Sequence, residues 1–492
     1  MNQEPKIKNR FPRHFGKALE HFFLCDSSAH QLLHFSAKYY NVASGMNIAR
    51  SMAGREVSTA AKIADRLLGW ADIRTLANNG YSEPDVTRGP ANAHTHTRLF
   101  DAKDGTVPQI VLYRDKHHWC PYCEKVQLFL EAKRVPYQMK FVTMFCYGQK
   151  ESWYKQLVPS GMLPALSLTP NGPIITESDE IMFELEDAVG PLQPGVGMGA
   201  APVVAHRKLE RKLFRAWCNW LCQPQGPASN EQRSTAAFSS VAKEVEAAIG
   251  RNGGPFMLGK LLTIADLVYA PYLGRMNASL FYFKGYNLRA EHPALNQWLS
   301  ALEGMDSYRG LISDFHTHAH DLPPQMGGCF MSVGDSRAAA AEAAQLVDHG
   351  PFTTGLLGLQ IDPLAYPEPS DAQAEAAWRV AKHADTVMRV NPHGVAAADV
   401  ALRAALTLLL TDKLPTLQEC MSGLQPAPKA SDVARAARYI RDRVSCPRDM
   451  PIHSAMRFRD ALETAASVFG PEQSEPVALR NRYDANPEPF RA

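Results

Sequence analysis

His118-Trp119-Cys120-Pro121-Tyr122-Cys123 lies between an apolar run, Gln109 to Tyr113, and a stretch patterned as a helix. A cysteine at a helix start has backbone N–H groups and the positive end of the helix dipole directed at its sulfur. Its pKa can fall from about 8.5 into the range of roughly 3.5–7.5, which makes the thiolate a nucleophile at neutral pH. The spacing Cys120-x-x-Cys123 fits either a redox pair or half of a zinc site. A structural zinc site wants two further ligands at matching spacing, and no second Cys-x-x-Cys occurs, so the reading is redox and no metal is assigned.

Outward from this motif the pattern alternates. Ile110, Val111 and Leu112 form a buried-strand run, and Tyr122, Val126, Phe129, Leu130 and Lys133 mark a helix with one apolar face that ends before Pro136. Tyr137 to Val142 reads as a strand, Ser152 to Leu157 as a short helix, and Ala165 to Thr169 as a third strand. A turn at Pro170-Asn171-Gly172-Pro173 leads to a fourth strand, Ile174 to Thr176, and a closing helix, Ser178 to Val189. The order βαβαββα describes an α/β thioredoxin-like domain, placed at residues 105–192.

After a Pro/Gly-rich joint at Gly190 to Pro202 the chain reads as helices only. An all-helical domain is expected over 203–321, with helices at Val204 to Leu221, Ala236 to Ile249, Thr263 to Met276 and Pro293 to Leu302. Thr263 and Asp266 have capping-box spacing. A second joint, Leu322 to Gly328, precedes a helical extension at 331–470 with candidate helices at Arg337 to Val347, Ala372 to Val390, Ala396 to Leu410, Asp432 to Val444 and Ser454 to Phe469. Residues 1–104 read as an N-terminal extension, with targeting left open because Glu4, Glu20, Asp26 and Glu56 dilute an acid-poor signature. Pro90 to Thr97, with His94 and His96, reads as a solvated linker, and residues 471–492 as a tail.

Composition sets outer bounds. The 492 residues call for several domains, and 45% hydrophobic with 21% charged residues is ordinary for a folded soluble chain. Lys+Arg 52 against Asp+Glu 50 leaves a net charge of +2, too little field to hold a phosphate backbone, so nucleic acid is not expected as a partner. Nine cysteines without paired spacings suit a reducing, intracellular compartment. The longest apolar stretch, around Ala404 to Leu410, is far short of the roughly 20 residues a membrane span needs.

A thioredoxin-like domain followed by a helical one resembles the soluble glutathione transferases. Met162-Leu163-Pro164-Ala165 resembles the family's segment in which a cis-proline presents the preceding residue's backbone, here Leu163, to the cysteinyl part of glutathione. Glu177-Ser178 resembles the pair that holds the γ-glutamyl end, and Lys150 lies where the family places a lysine for the glycyl carboxylate. Val142-Thr143-Met144-Phe145-Cys146-Tyr147-Gly148, Trp217-Cys218-Asn219-Trp220-Leu221-Cys222, Met276-Asn277-Ala278-Ser279-Leu280-Phe281, the run Asp314 to Asp321, and Arg448-Asp449-Met450-Pro451 are similar to the iota class of photosynthetic organisms. That likeness covers roughly residues 105–470 and implies a transferase with a C-terminal extension.

The resemblance implies glutathione as cosubstrate, bound by Lys150, Leu163, Pro164, Glu177 and Ser178, with Cys120 as catalytic nucleophile and Cys123 as its second thiol. A protein thiolate at the catalytic position directs the chemistry towards glutathione mixed disulfides, dehydroascorbate or related oxidants. The rival is a glutathione-fold protein that binds a ligand or partner without turnover; a third reading has glutathione and Cys120 ligating an iron–sulfur cluster. Location is left between chloroplast and cytoplasm, and oligomeric state is left open. Cys218 and Cys222 read as a core stripe, and Cys146 as a packed or loop thiol. His117 and His118 read as exposed loop residues. His316, His318, His320 and Asp321 would share one face of an extended segment and could then hold zinc, a pattern that a loop packing the joint explains equally well.

Overall fold

The computed structural model describes residues 66–224 and 226–470. The stretch weighed for targeting lies outside them up to residue 65, as does the tail after Gly470. The described part opens with helix α1 (Trp70–Gly80) and a two-residue strand, β1 (Thr97–Arg98). It continues with β2 (Ile110–Asp115), α2 (Pro121–Lys133), β3 (Tyr137–Val142), α3 (Ser152–Leu157), β4 (Ala165–Ser167), β5 (Ile175–Thr176) and α4 (Ser178–Val189). From β2 onward this is the order read from periodicity. The strands lie in the order β1-β3-β2-β4-β5. The β2–β3 pair is parallel, with Ile110 opposite Tyr137, whereas β4 runs antiparallel to β2 and β5 antiparallel to β4. It is a thioredoxin-like sheet with an added edge.

The added edge corrects the linker reading of Pro90 to Thr97. Thr97 and Arg98 pair antiparallel with Gln138 and Tyr137. The reason is Arg98, whose buried guanidinium meets Glu131 of α2 at 2.9 Å and donates to the carbonyls of Val86 and Gly89. A polar stretch is anchored when its one long cation finds every partner indoors. His94 and His96 are exposed, as expected.

Helices only follow: α5 (Ala201–Leu221), α6 (Ala228–Arg251), α7 (Ile264–Lys284), α8 (Leu288–Glu291), α9 (Pro293–Glu303), α10 (Asp306–Arg309) and α11 (Phe315–Met326). Helix α7 runs past its expected end at Met276 because it is buried nearly all round, which erases the amphipathic period that marks a helix. Its first turn is held by Asp266, whose carboxylate accepts from the Thr263 and Met257 N–H groups and from the Trp298 indole. Helix α11 corrects two readings, the extended His316–His320 segment and the joint at Leu322 to Gly328. Asp314 caps it by accepting from the Thr317 N–H at 2.8 Å, and the chain leaves it through Gly327 at φ 79°.

The remaining helices are α12 (Arg337–His349), α13 (Leu357–Gln360), α14 (Ala372–Arg389), α15 (Val395–Thr411), α16 (Leu417–Met421), α17 (Ala430–Arg443) and α18 (Ile452–Phe469). Helix α12 packs on α7, while α18 packs on α15 and α17. Helix α1 packs on α14 and α15, its Trp70 indole donating to Asp399 and the neighbouring Tyr81 hydroxyl to Glu375. One continuous cluster of buried apolar side chains runs from Leu68 to Phe469. The seam between the extension and the earlier helices is polar as well: Arg459 of α18 forms a fully buried ion pair with Asp314, and the Cys446 N–H donates to Thr317 Oγ1 at 3.1 Å. Among the described residues no helix is long and apolar enough to cross a membrane.

Candidate active site at the start of helix α2

Cys120 is the N-cap of α2. Its backbone is extended (φ −74°, ψ 115°), and Pro121, which needs no hydrogen-bond acceptor at the first helical position, follows. Cys120 Sγ accepts from the Cys123 backbone N–H at 3.4 Å. The loop leading to it is fixed from below by Asp115 at the end of β2, whose carboxylate accepts from the N–H of Trp119 at 2.7 Å and of Cys120 at 3.3 Å. Asp115 is itself buried and paired with buried Arg114 at 3.1 Å. From the helical side, Arg275 of α7 donates to the Trp119 carbonyl at 2.7 Å and to Glu124 at 2.8 Å. The extension reaches the same place: the Arg448 guanidinium lies 5.5 Å from the centre of the Trp119 ring. Tyr147, edge-on to Trp119, donates its hydroxyl to the Asp321 carbonyl at 2.6 Å.

The two sulfurs are driven apart electrostatically. The Cys120 pKa is lowered from its ordinary value by a hydrogen bond from the Cys123 thiol, against burial and the nearby Asp115 carboxylate. Burial pushes Cys123 well above its ordinary value, and holding its proton towards Cys120 pushes it further. Cys120 keeps 7% of its surface exposed and Cys123 none. The geometry therefore assembles one ionisable sulfur at the helix start and one protonated donor a turn behind it. His117 and His118 do not fit the exposed-loop reading. Both are buried, His117 stacks on Trp119 at 4.6 Å, and burial holds His118 well below its ordinary value, so it is a neutral ring and brings no positive charge to the sulfur.

The residues expected to bind glutathione fall on the rim of this loop and on the start of α4. Leu163, half-buried, packs against the cluster of Trp119, Cys120, Cys123, Met144 and Tyr147, and the Leu163–Pro164 peptide is cis. Lys150 is half-buried with its Nζ donating to the Thr143 carbonyl at 2.9 Å, and burial lowers its pKa. Glu177 is exposed, with a left-handed backbone (φ 67°) that turns the chain into α4; Ser178 is buried at the first helical position. The neighbouring Asp179 pairs with Lys125 of α2 and, at 2.7 Å, with Arg207, which locks the two helix starts together. Among the described residues, Asp115, Cys120 and Cys123 also offer ligand atoms within 4.8 Å of one another.

Sequence reasoning missed Asp115 and Arg275, and it quoted Tyr147 and Arg448 only within blocks of family likeness, without placing them at the Trp119 loop. Asp115 left a usable signal, an Arg-Asp pair ending an apolar strand that the fold buries on both faces. Arg275 left none, since a charge in a helix reads as solvated until its distant partner is known.

Comparisons with known proteins match two domains of the chain. The model of the glutathione S-transferase N-terminal domain matches residues 119–188, and that of the C-terminal domain matches residues 229–301. The chain is 25% identical over 194 residues to glutathione S-transferase DHAR3, chloroplastic, of Arabidopsis thaliana, covering 38% of this chain and 67% of that protein. It is 25% identical over 189 residues to the probable cytosolic glutathione S-transferase DHAR1 of Oryza sativa subsp. japonica (38% and 82%), and 26% identical over 214 residues to the pyrimidodiazepine synthase of Drosophila melanogaster (41% and 82%). Among solved structures, Chlamydomonas reinhardtii dehydroascorbate reductase is similar at 24% identity and a TM-score of 0.35, over 41% of this chain and 92% of that one. Residues 119–188 and 229–301 of this chain are thus similar, in that order, to the N- and C-terminal domains of glutathione S-transferases.

Proposed function

We propose that the protein is a glutathione-dependent thiol transferase or oxidoreductase of the cysteine type, resembling the iota class, with Cys120 as its nucleophile. The observation that carries the reading is the sulfur pair at α2: Cys120 is favoured as thiolate while Cys123 stays a thiol and donates to it. In the forward step the Cys120 thiolate attacks the glutathione sulfur of a mixed disulfide. The Cys120–glutathione S–S bond forms, the substrate S–S bond breaks, and the substrate leaves as a thiolate that takes up a proton. A second glutathione thiolate then attacks the mixed disulfide, releasing oxidised glutathione and restoring Cys120. Lys150, Leu163, Pro164, Glu177 and Ser178 hold glutathione in this reading, with Ser178 and the α4 N-terminus receiving the γ-glutamyl carboxylate and Glu177 its amine. An acceptor of the dehydroascorbate class would be reduced by two electrons as two glutathiones are oxidised to one disulfide. Chloroplast and cytoplasm both stay in the proposal, since the relatives carry both designations.

The test is intact mass of the purified chain before and after oxidised glutathione, with peptide mapping of the adduct and turnover of a glutathionylated peptide. One glutathione on Cys120 together with turnover is expected. An adduct on Cys120 without turnover would favour the ligand-binding rival, and no adduct there would remove Cys120 from the mechanism.

A further inference from the structure

We propose that His316, His320 and Asp348 form a binding site for a divalent transition-metal ion of the zinc class, joining the transferase helices to the C-terminal extension. The motif around it has period two in sequence, but the chain there is the helix α11, so the three histidines do not share a face. His316 and His320, one turn apart, do: their ring centres are 4.7 Å apart. The third member comes from α12, where Asp348 Oδ1 lies 2.8 Å from His320 Nε2. One ligand atom from each of the three falls within 4.8 Å of the other two. His318 points elsewhere, its Nδ1 lying 3.7 Å from Asp321.

Two imidazoles at i and i+4 on one helix face are the spacing that brings both nitrogens to a single ion. With metal–ligand bonds of about 2.0–2.2 Å, tetrahedral donors stand roughly 3.3–3.5 Å apart, so small side-chain adjustments close the present cluster on an ion. Two nitrogens and one carboxylate oxygen suit zinc and its neighbours over magnesium or calcium, and three protein ligands leave a fourth position for water. The surroundings are those of a built site. His316 and His320 are 0% and 1% exposed and Asp348 is 9% exposed. The Tyr282 hydroxyl donates to Asp348 Oδ2 at 2.9 Å, orienting the carboxylate so that Oδ1 faces the histidines. This inference does not depend on glutathione chemistry at Cys120.

The experiment uses the full chain, stripped with a chelator, equilibrated with zinc or cobalt(II), freed of loose ion and counted by elemental mass spectrometry. Because Asp115, Cys120 and Cys123 form a second donor group, the count is made in a Cys120→Ser/Cys123→Ser background as well as in the wild type. About one ion per chain in that background, lost in His316→Ala and in Asp348→Asn, is expected. The cobalt form should show ligand-field bands without thiolate charge transfer. Should His316→Ala fail to fold by circular dichroism, His316→Gln takes its place. Less than roughly half an ion per chain in the cysteine-free background, or full retention in the folded His316 and Asp348 variants, would overturn the proposal and leave a hydrogen-bonded His–Asp pair.

Discussion

Two cysteine pairs one helical turn apart sit at opposite ends of their helices. Cys120 and Cys123 stand at the front of α2, Cys218 and Cys222 at the back of α5. In each pair one thiol is lowered and the other raised. At the front of α2 the lowered sulfur receives both the Cys123 thiol and a backbone N–H. At the back of α5, where the helix dipole is unfavourable to an anion, Cys222 is lowered by thiol hydrogen bonds from Cys218 and from Cys329, with a smaller pull from Lys284. Its bond to Cys222, and then burial, also raise Cys329. An acidic sulfur therefore does not need a helix N-terminus, and acidity alone does not mark the nucleophile. What sets Cys120 apart is its surroundings: the Trp119 loop held by Asp115 and Arg275, and the cis-proline segment at Leu163.

The comparison breaks if the second pair matters to turnover. Cys120→Ser should lower deglutathionylation of a peptide by on the order of 10³-fold or more, the scale seen when a nucleophile is removed, whereas Cys222→Ser should leave the rate unchanged. Next in size, Asp115→Ala takes the acceptor from two N–H groups of the loop and the paired carboxylate from buried Arg114, which keeps its bond to Gln127, and should cost about 3–5 kcal/mol in urea unfolding. Lys284→Met should cost less, because its partner Glu231 still accepts from the Ser332 hydroxyl and the Val333 N–H. Ser178→Ala and Glu177→Gln should each weaken glutathione binding by about 1–3 kcal/mol in calorimetry, and wild-type affinity in both would move the site away from α4.

A titration sharpens the contrast. Followed by thiolate absorbance, Cys120→Ser and Cys222→Ser should each remove one step lying below the ordinary thiol range. The sign for stability follows. A thiol lowered in the folded state contributes stability that is present above the unfolded pKa and lost as pH falls through the folded one. The stability gap between wild type and either variant should therefore narrow towards acid. The smallest effect is expected at Cys123. Its serine variant retains a hydroxyl donor for Cys120 and should keep most deglutathionylation while losing reduction of dithiol-type protein disulfides; loss of both activities would make Cys123 essential to attack by Cys120.

The legible parts of this chain are those with local causes. Pro121 after Cys120, the left-handed cap at Arg134 before Pro136, and the alternation of buried strands and one-faced helices all act within a few residues, so β2, α2, β3, α3 and α4 could be placed from sequence. Cys120 was legible for the same reason, since a cap is a property of its own helix. Local rules failed where burial was total or partners were remote. Helix α7 shows no periodic face, β1 depends on Arg98 meeting Glu131 thirty-three residues on, and His316-x-His318-x-His320 looks strand-like while folding as a helix.

The sequence by itself determined the thiol pair, the thioredoxin-like order and the run of helices after it, because hydrophobic period, proline and capping are short-range physics. Tertiary structure alone decided which charges are indoors and what they hold. Arg275 grips the Trp119 loop from the helical part of the chain, Arg459 finds Asp314 across the seam, and Asp348 arrives beside His316 and His320 from the next helix. Each depends on two groups far apart in the chain, and their stabilisation exists only once packing has excluded water from both.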